Sequence, residues 1–356
     1  IVFRQIVFCV LSAIALFVTS LIPTNLLLRF SGLLYVLALG LMASLHWFYD
    51  QTMFEQTSTK RWIRIGDFTI QPSEFMKVAF MLFMVYLTLV YEKRKAERTI
   101  KSDLIYVTKI LLYSIPTFLL MFMQRDFGTS LVFIVMLVAL FIISGVHWKI
   151  LTVVIGLIAA LGAILLLLVF TEWGNRVLFR LHFSQYQLDR VRAWADPLAY
   201  QDSIAFQQVR SMWAIGSGGL LGAPDTHTTV YVPVRESDMI FTVIGETYGF
   251  LGSTLVIFLY FYLIYQIIFA ALKTNNKASV YIAITYVFGL VFQIFENIGA
   301  AIGLLPLTGI PLPFLSQGGT SLIAISIAMG IIFGLEKFPT KAKKRSYALK
   351  ESRGLT

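Results

Sequence analysis

Two clusters of ionisable residues in this chain have the types and spacing to do chemistry. The first is the stretch YVPVRESDMIFTVIGETYGFLGS, residues 231–253, which sets Arg235, Glu236 and Asp238 before a long apolar run and Glu246 inside it. Charge at or within a membrane span is costly, so such groups are functional-site candidates by default. Read as one helix, the stretch puts Asp238 and Glu246 on nearly one face, roughly 12 Å apart along the axis, with Asp238 at the surface and Glu246 inside. The second cluster is RWIRIGDFTIQPSEFMK, residues 61–77. Pro72 is suited to start a helix and Ser73 to its first turn, and Glu74 and Lys77 then share one face at i, i+3. Two readings fit: an interfacial salt bridge between Glu74 and Lys77, or positive charge from Arg61, Arg64 and Lys77 suited to a pyrophosphate.

Three further stretches carry signals of their own. In QRDFGTS, residues 124–130, Asp126 either caps the next helix or faces a polar cavity. The glycine run Gly216 to Gly222 follows Gln207 and Arg210, and it lacks the Lys and Ser/Thr of a phosphate loop. It fits a tight turn or close helix approach. LLPLTGIPLPFLSQGGTS, residues 304–321, has three prolines and three glycines and cannot form a regular helix. Non-helical backbone at membrane depth survives only when buried in protein or lining a cavity. Glu296, upstream, reads as a polar helix-packing group. His46, His147, His182 and His227 share no metal-ligand spacing, and Cys9, the single cysteine, excludes a disulfide framework.

The elements that must hold these residues are membrane helices. Hydrophobic residues make up 58% of the 356 and charged residues 13%, with mean hydropathy +0.78, a composition foreign to a soluble domain. The net charge of +10 comes from short basic blocks between apolar runs, a membrane-protein pattern and not that of a nucleic-acid binder. Apolar runs long enough to span fall near residues 3–22, 25–47, 73–91, 104–123, 128–146, 150–170, 238–270, 279–304 and 316–336. The fold class is therefore an all-α polytopic membrane protein with about nine spans. The basic loops at 92–101, at Lys149, at Lys273 with Lys277, and in the tail 337–356 belong on the cytoplasmic side. Alternation puts 48–72, 124–127, 305–315 and a large loop, 171–237, outside. That loop, rich in aromatics and too long to be idle in a compact protein, is expected to be partly helical and to build a site with Asp238. Ile1 also falls outside, which with an odd span count and no initiator Met suggests a helix upstream of this chain.

Taken together, these segments resemble the SEDS family (shape, elongation, division and sporulation) of membrane peptidoglycan polymerases over nearly the whole chain. RWIRIGDFTIQPSEFMK, QRDFGTS, RVRAWADP, AIGSGGLLG, VPVRESDMIFTVIGETYGFLG and GLLPLTGIPLPFLSQGGTS are similar to family motifs, in the family's order. VPVRESDMIF and SQGG lie closer to the RodA branch than to FtsW. Arg125, Arg210 and Gln317 depart from the family's usual Pro, Gln and Tyr. The resemblance implies a ten-span fold with one domain over 1–356, its first helix missing here, in the bacterial cytoplasmic membrane with the site facing outside.

It also implies processive, inverting glycosyl transfer from lipid II during cell-wall elongation, with release of undecaprenyl pyrophosphate. That chemistry needs one carboxylate as general base toward a sugar hydroxyl, the place of Asp238. Cationic groups must receive the leaving pyrophosphate: Arg61, Lys77 and Arg210, with Glu74 holding Lys77. Glu236 and Gln317 complete the expected substrate contacts. No cofactor is implied beyond a candidate divalent cation at Asp238 and Glu236. The expected partner is a class B penicillin-binding protein, and the polyprenyl tail calls for a lateral groove between helices. Two other classes compete: a lipid II flippase, which needs access from both leaflets, and a scaffold that only positions the transpeptidase.

Overall fold

A computed structural model describes residues 2–57, 59–66, 68–94, 99–181, 183–223, 230–274 and 276–337. The tail 338–356, His182 and His227 lie outside the described residues. The chain runs α1 (Val2–Ser20), α2 (Thr24–Ser44), α3 (Gln51–Thr57), β1 (Ile63–Ile65), β2 (Phe68–Ile70), α4 (Pro72–Arg94), α5 (Ile100–Gln124), α6 (Phe127–Ile143) and α7 (Trp148–Val169). It continues through α8 (Glu172–Arg180), α9 (Gln185–Ala195), α10 (Phe206–Ser217), α11 (Ile240–Lys273), α12 (Lys277–Ala301) and α13 (Gly319–Lys337). Helices α2, α4, α5, α7, α11 and α12 are long and apolar enough to cross a membrane, and α1, α6 and α13 are shorter apolar helices. All nine fall on the stretches read as spans. An addition to the helical class is the antiparallel pair β1–β2, which registers Ile63 with Ile70 and Ile65 with Phe68.

Local sequence sets the breaks. Pro72 opens α4 in the first helical position, where its missing N–H costs nothing. Thr99 and Ser102 cap α5 reciprocally, the capping-box arrangement. Arg125 then ends α5 in the left-handed conformation at φ 59°, and Asp126 at once caps α6 by accepting Thr129 N at 3.3 Å. At the centre of the bundle stands α12, 61% buried along its spanning window against 6% for peripheral α7. Its Gly289 lets Met136 of α6 come within 3.0 Å of where a Cβ would stand.

Helix α11 is broken at Gly249, φ 63° and ψ −157°, a region open essentially to glycine alone. The freed amides of Phe250 and Leu251 donate to the carbonyls of Gly219 at 2.9 Å and Leu220 at 3.1 Å, while Ala223 N donates to Glu246 O at 2.9 Å. Backbone inside a membrane span needs partners from within the protein. The Gly216–Gly222 run provides them because it can come close: a Cβ on Gly218 would lie 2.0 Å from Gly245 O. One expectation fails here. Helix α11 starts at Ile240, so Asp238 lies in the loop before it and does not share a helix face with Glu246.

The segments that alternation puts on one side meet at one end of the bundle. Lys60 N donates to Gln124 O at 3.1 Å, Arg61 pairs with Asp126 at 3.3 Å, and Arg190 reaches Leu307 O at 2.8 Å. At the other end Glu92 meets Tyr281 at 2.6 Å and Lys277 at 3.4 Å, and Asp103 accepts from His147 N at 2.9 Å.

Candidate active site

Asp238 sits half-buried where four segments converge. Asn297 of α12 fixes its backbone, donating to Asp238 O at 2.6 Å and to Ile310 O at 2.8 Å. Gln207 of α10 donates to its Oδ1 at 3.4 Å and to Pro233 O at 3.0 Å. On the next side stands Gly309 at φ 76°. A Cβ there would lie 3.5 Å from Asp238 Oδ2 and 3.9 Å from Arg61 Nη2, so the acid and the guanidinium share one small space that glycine keeps open. Arg190 of α9 adds the second positive charge, itself held by Leu307 O at 2.8 Å and the Tyr186 hydroxyl at 2.5 Å. Burial pushes the Asp238 carboxyl above the usual carboxylate range, and Arg190 and Arg61 pull it back.

Arg61 is anchored through Thr59 at 3.1 Å and the fully buried Asp126 at 3.3 Å. Asp126 therefore does both things the sequence allowed, capping α6 and facing the site. The non-helical run after α12 is held group by group: Trp194 donates to Leu304 O at 3.1 Å, Gln208 to Leu305 O at 2.8 Å, and Arg190 and Asn297 to Leu307 and Ile310. Further along, Ser316 Oγ donates to Ser237 O at 2.5 Å and Tyr260 to Pro313 O at 2.5 Å. Val234 at φ 50° and Phe314 at φ 66° are left-handed residues with large side chains, the kind of strain that gathers at functional sites.

The other expected site residues divide. Lys77 Nζ lies 2.8 Å from both Glu74 Oε2 and Gln293 Oε1, and with Tyr286 and Gly289 this buried pair lines a cavity of about 20 Å³. Gln293 is one turn below Asn297 on α12, about 6 Å, so Lys77 and Glu74 lie beneath Asp238 and not beside Arg61. Arg210 is not drawn into the cluster: its guanidinium stacks 5.1 Å from the Phe206 ring and 5.3 Å from Trp213, with no acidic partner among the described residues. Glu236 is exposed, and Gln317 meets it only through the backbone, N to Glu236 O at 2.7 Å. Glu246 is buried and neutralised by Arg235 at 2.8 Å, and Arg64 is bound to Asp50 at 2.7 Å.

For a divalent cation the fit is poor. With Glu236 exposed and Asp238 recessed between two arginines, these acids do not share an environment. No group of three or more His, Cys, Asp or Glu among the described residues could hold a metal. Sequence reasoning overlooked Arg190, Gln207 and Asn297. Arg190 opens the RVRAWADP motif, so its signal was present, but its partner Leu307 is 117 residues away.

A family model described as cell cycle protein, covering FtsW, RodA and SpoVE, matches residues 1–341. The chain belongs to this family. Among curated relatives of this FtsW/RodA/SpoVE chain is the stage V sporulation protein E of Bacillus subtilis, 28% identical over 341 residues, covering 94% of the chain and 86% of the relative. The probable peptidoglycan glycosyltransferase FtsW of the same organism is 30% identical over 300 residues, covering 82% and 72%. Among solved structures, RodA of Thermus thermophilus superposes with a TM-score of 0.64 at 23% identity, covering 95% of this chain and 88% of its own. A chain of a peptidoglycan synthase complex that coordinates polymerization and crosslinking gives 0.73 at 24%, covering 95% and 90%. The family fold is thus the multi-pass helical membrane fold described above.

Proposed function

We propose that this chain is a peptidoglycan glycosyltransferase that polymerises lipid II into glycan strands and releases undecaprenyl pyrophosphate. The observation that carries the reading is the enclosure of Asp238 by Arg61, Arg190, Gln207 and Gly309 at the mouth of α11. A half-buried carboxylate of raised pKa is a stronger base than a solvated one. It takes the proton from the acceptor sugar hydroxyl as the anomeric carbon is attacked from the face opposite the pyrophosphate, with inversion. Arg61 and Arg190 receive the charge that develops on the leaving pyrophosphate, and they are in place before it forms. Lys77 and Glu74 hold α4 against α12 beneath the site.

Support for a lipid-linked substrate comes from an apolar groove of about 390 Å³ between α1, α11 and α13, lined by Leu16, Tyr260, Phe314 and Phe333 among others. Phe314 belongs to the same run as Gly309, so a polyprenyl chain in the groove and its headgroup at Asp238 would be bound by one continuous segment. In this reading the Asp238 end faces outward from the cytoplasmic membrane, and the chain works in elongation with a class B penicillin-binding protein. VPVRESDMIF and SQGG support the RodA branch. The test is purified chain with that transpeptidase in vesicles holding labelled lipid II. Glycan ladders on gels support the reading, and movement of lipid II between leaflets with no glycan replaces it by the flippase.

A further inference from the structure

Glu296 is a buried acid to which the reaction above gives no task. It stands on α12 one residue before Asn297. A polar group that packs helices bonds a neighbouring helix, whereas Glu296 bonds a loop. Its Oε1 accepts from Thr308 N at 3.3 Å and from the Thr308 hydroxyl in a shorter contact. Thr308 is confined on its other side by α6, where a Cβ on Gly128 would come within 2.8 Å of the threonine Cβ. The charged groups facing Glu296 are Asp238 and Arg190.

We propose that Glu296 is a positioning residue for glycosyl transfer, setting through Thr308 the place of the Gly309 backbone and so the gap between Asp238 and Arg61. This rests on the polymerase reading. Four consecutive residues carry the argument. Leu307 is held at its carbonyl by Arg190, Thr308 at its amide and hydroxyl by Glu296, and Ile310 at its carbonyl by Asn297. Gly309, between them, stands 3.5 Å from Asp238 Oδ2 as measured from its Cβ position. The Leu307 carbonyl and the Thr308 amide lie on one peptide plane, so Arg190 and Glu296 hold that plane from opposite edges. The hydroxyl contact fixes the Thr308 side chain, and the chain enters Gly309 from a residue held at three points. Glycine at φ 76° has no side chain to resist rotation, so the constraint has to come from its neighbours. Misplacing a reacting group by about 1 Å costs on the order of 10²-fold in rate.

The test uses the full-length chain in detergent with its transpeptidase and lipid II. Glu296→Ala and Thr308→Val should each lower kcat by roughly 10- to 100-fold with KM for lipid II nearly unchanged, the mark of an interaction felt in the transition state. Glu296→Gln and Thr308→Ser keep an acceptor and a hydroxyl, and each should restore kcat to within about 3-fold of wild type. The Glu296→Ala/Thr308→Val pair should be no slower than the slower single variant, as residues in one contact are not additive. If Glu296→Gln is as slow as Glu296→Ala, or if Glu296→Ala turns over at the wild-type rate, the proposal is overturned.

A second readout does not depend on polymerisation. In a Cys9→Ser background, Leu307→Cys should react with a maleimide about 5-fold faster when Glu296 is Ala, because the segment opens more often. Equal labelling overturns the positioning role even where glycan synthesis fails, while faster labelling in a chain that makes no glycan at all refutes the polymerase reading and leaves the clamp standing.

Discussion

Gly249→Ala should unseat the broken span. At φ 63° and ψ −157° a side chain is strained by about 1–3 kcal/mol. Its Cβ would also lie 2.4 Å from Gly222 N and 2.7 Å from the Leu220 carbonyl carbon. The Leu220 carbonyl already accepts from Leu251 N across the break, and Gly222 N donates to Gly218 O within the glycine run. Neither backbone atom can therefore swing aside as a flexible side chain would, and overpacking of this kind adds roughly 1–3 kcal/mol. The sum is about 2–6 kcal/mol, which at about 2 °C per kcal/mol for a large domain lowers the melting midpoint by roughly 4–12 °C. The assay is the monodisperse fraction surviving graded heating in detergent, read by size exclusion. Gly216→Ala is the control from the same glycine run. Nothing lies within 4 Å of its Cβ position and it sits inside α10, so alanine there should be neutral or stabilising by about 0.5–1 kcal/mol. A Gly249→Ala chain that melts with wild type, or a Gly216→Ala chain that loses as much, refutes the idea that the glycine run repairs the helix break.

Other consequences follow from the charges. Arg235→Ala takes the compensating charge from Glu246, whose side chain is 1% exposed and would keep the Val230 N–H at 3.3 Å, and should destabilise by about 3–5 kcal/mol, whereas replacing both partners by leucine should recover most of the loss; the same heating assay reads both. The base role proposed for Asp238 requires its ionised form, so polymerisation should fall as pH drops through its folded-state pKa. Arg190 lowers that pKa, so Arg190→Gln should move the acid limb of the kcat profile to higher pH, and a limb that stays or moves down contradicts the assigned geometry. Arg61→Ala should cost on the order of 100-fold in kcat. Arg210→Ala, which removes only stacking on Phe206 and Trp213, should cost about 3-fold or less.

Much of the fold was legible because the signals are local. Apolar runs of spanning length, Pro72 as a helix start, Asp126 as a cap and the proline-glycine run at 304–321 all act through nearby residues, and each lies where the sequence indicates. The basic loops were enough to sort segments between the two ends of the bundle, and Arg61 then meets Asp126 and Asp238 as that sorting requires. What escaped depends on distant pairing. Asp238 and Glu246 look like helix-face neighbours, but the first turn of α11 begins only at Ile240, and nothing in the stretch itself announces that Arg235 will turn back to Glu246. Lys77 reads as a mouth residue because Pro72 is near the surface, yet Gln293 of α12 draws it one turn down. Glu296 looked like helix packing because its partner Thr308 arrives from a loop whose path no periodicity describes.

The central claim is that Asp238 is the base of a glycan polymerase. The most direct measurement is glycan synthesis from lipid II by purified chain with its transpeptidase, comparing wild type with Asp238→Asn at matched melting midpoint and monodispersity. Asparagine keeps the shape and the bond from Gln207 but cannot take a proton, so wild type should make glycan strands and the variant should fall by at least about 10²-fold, the contribution typical of a general base. A variant that polymerises at the wild-type rate would contradict the assignment and send the search for the base to another carboxylate.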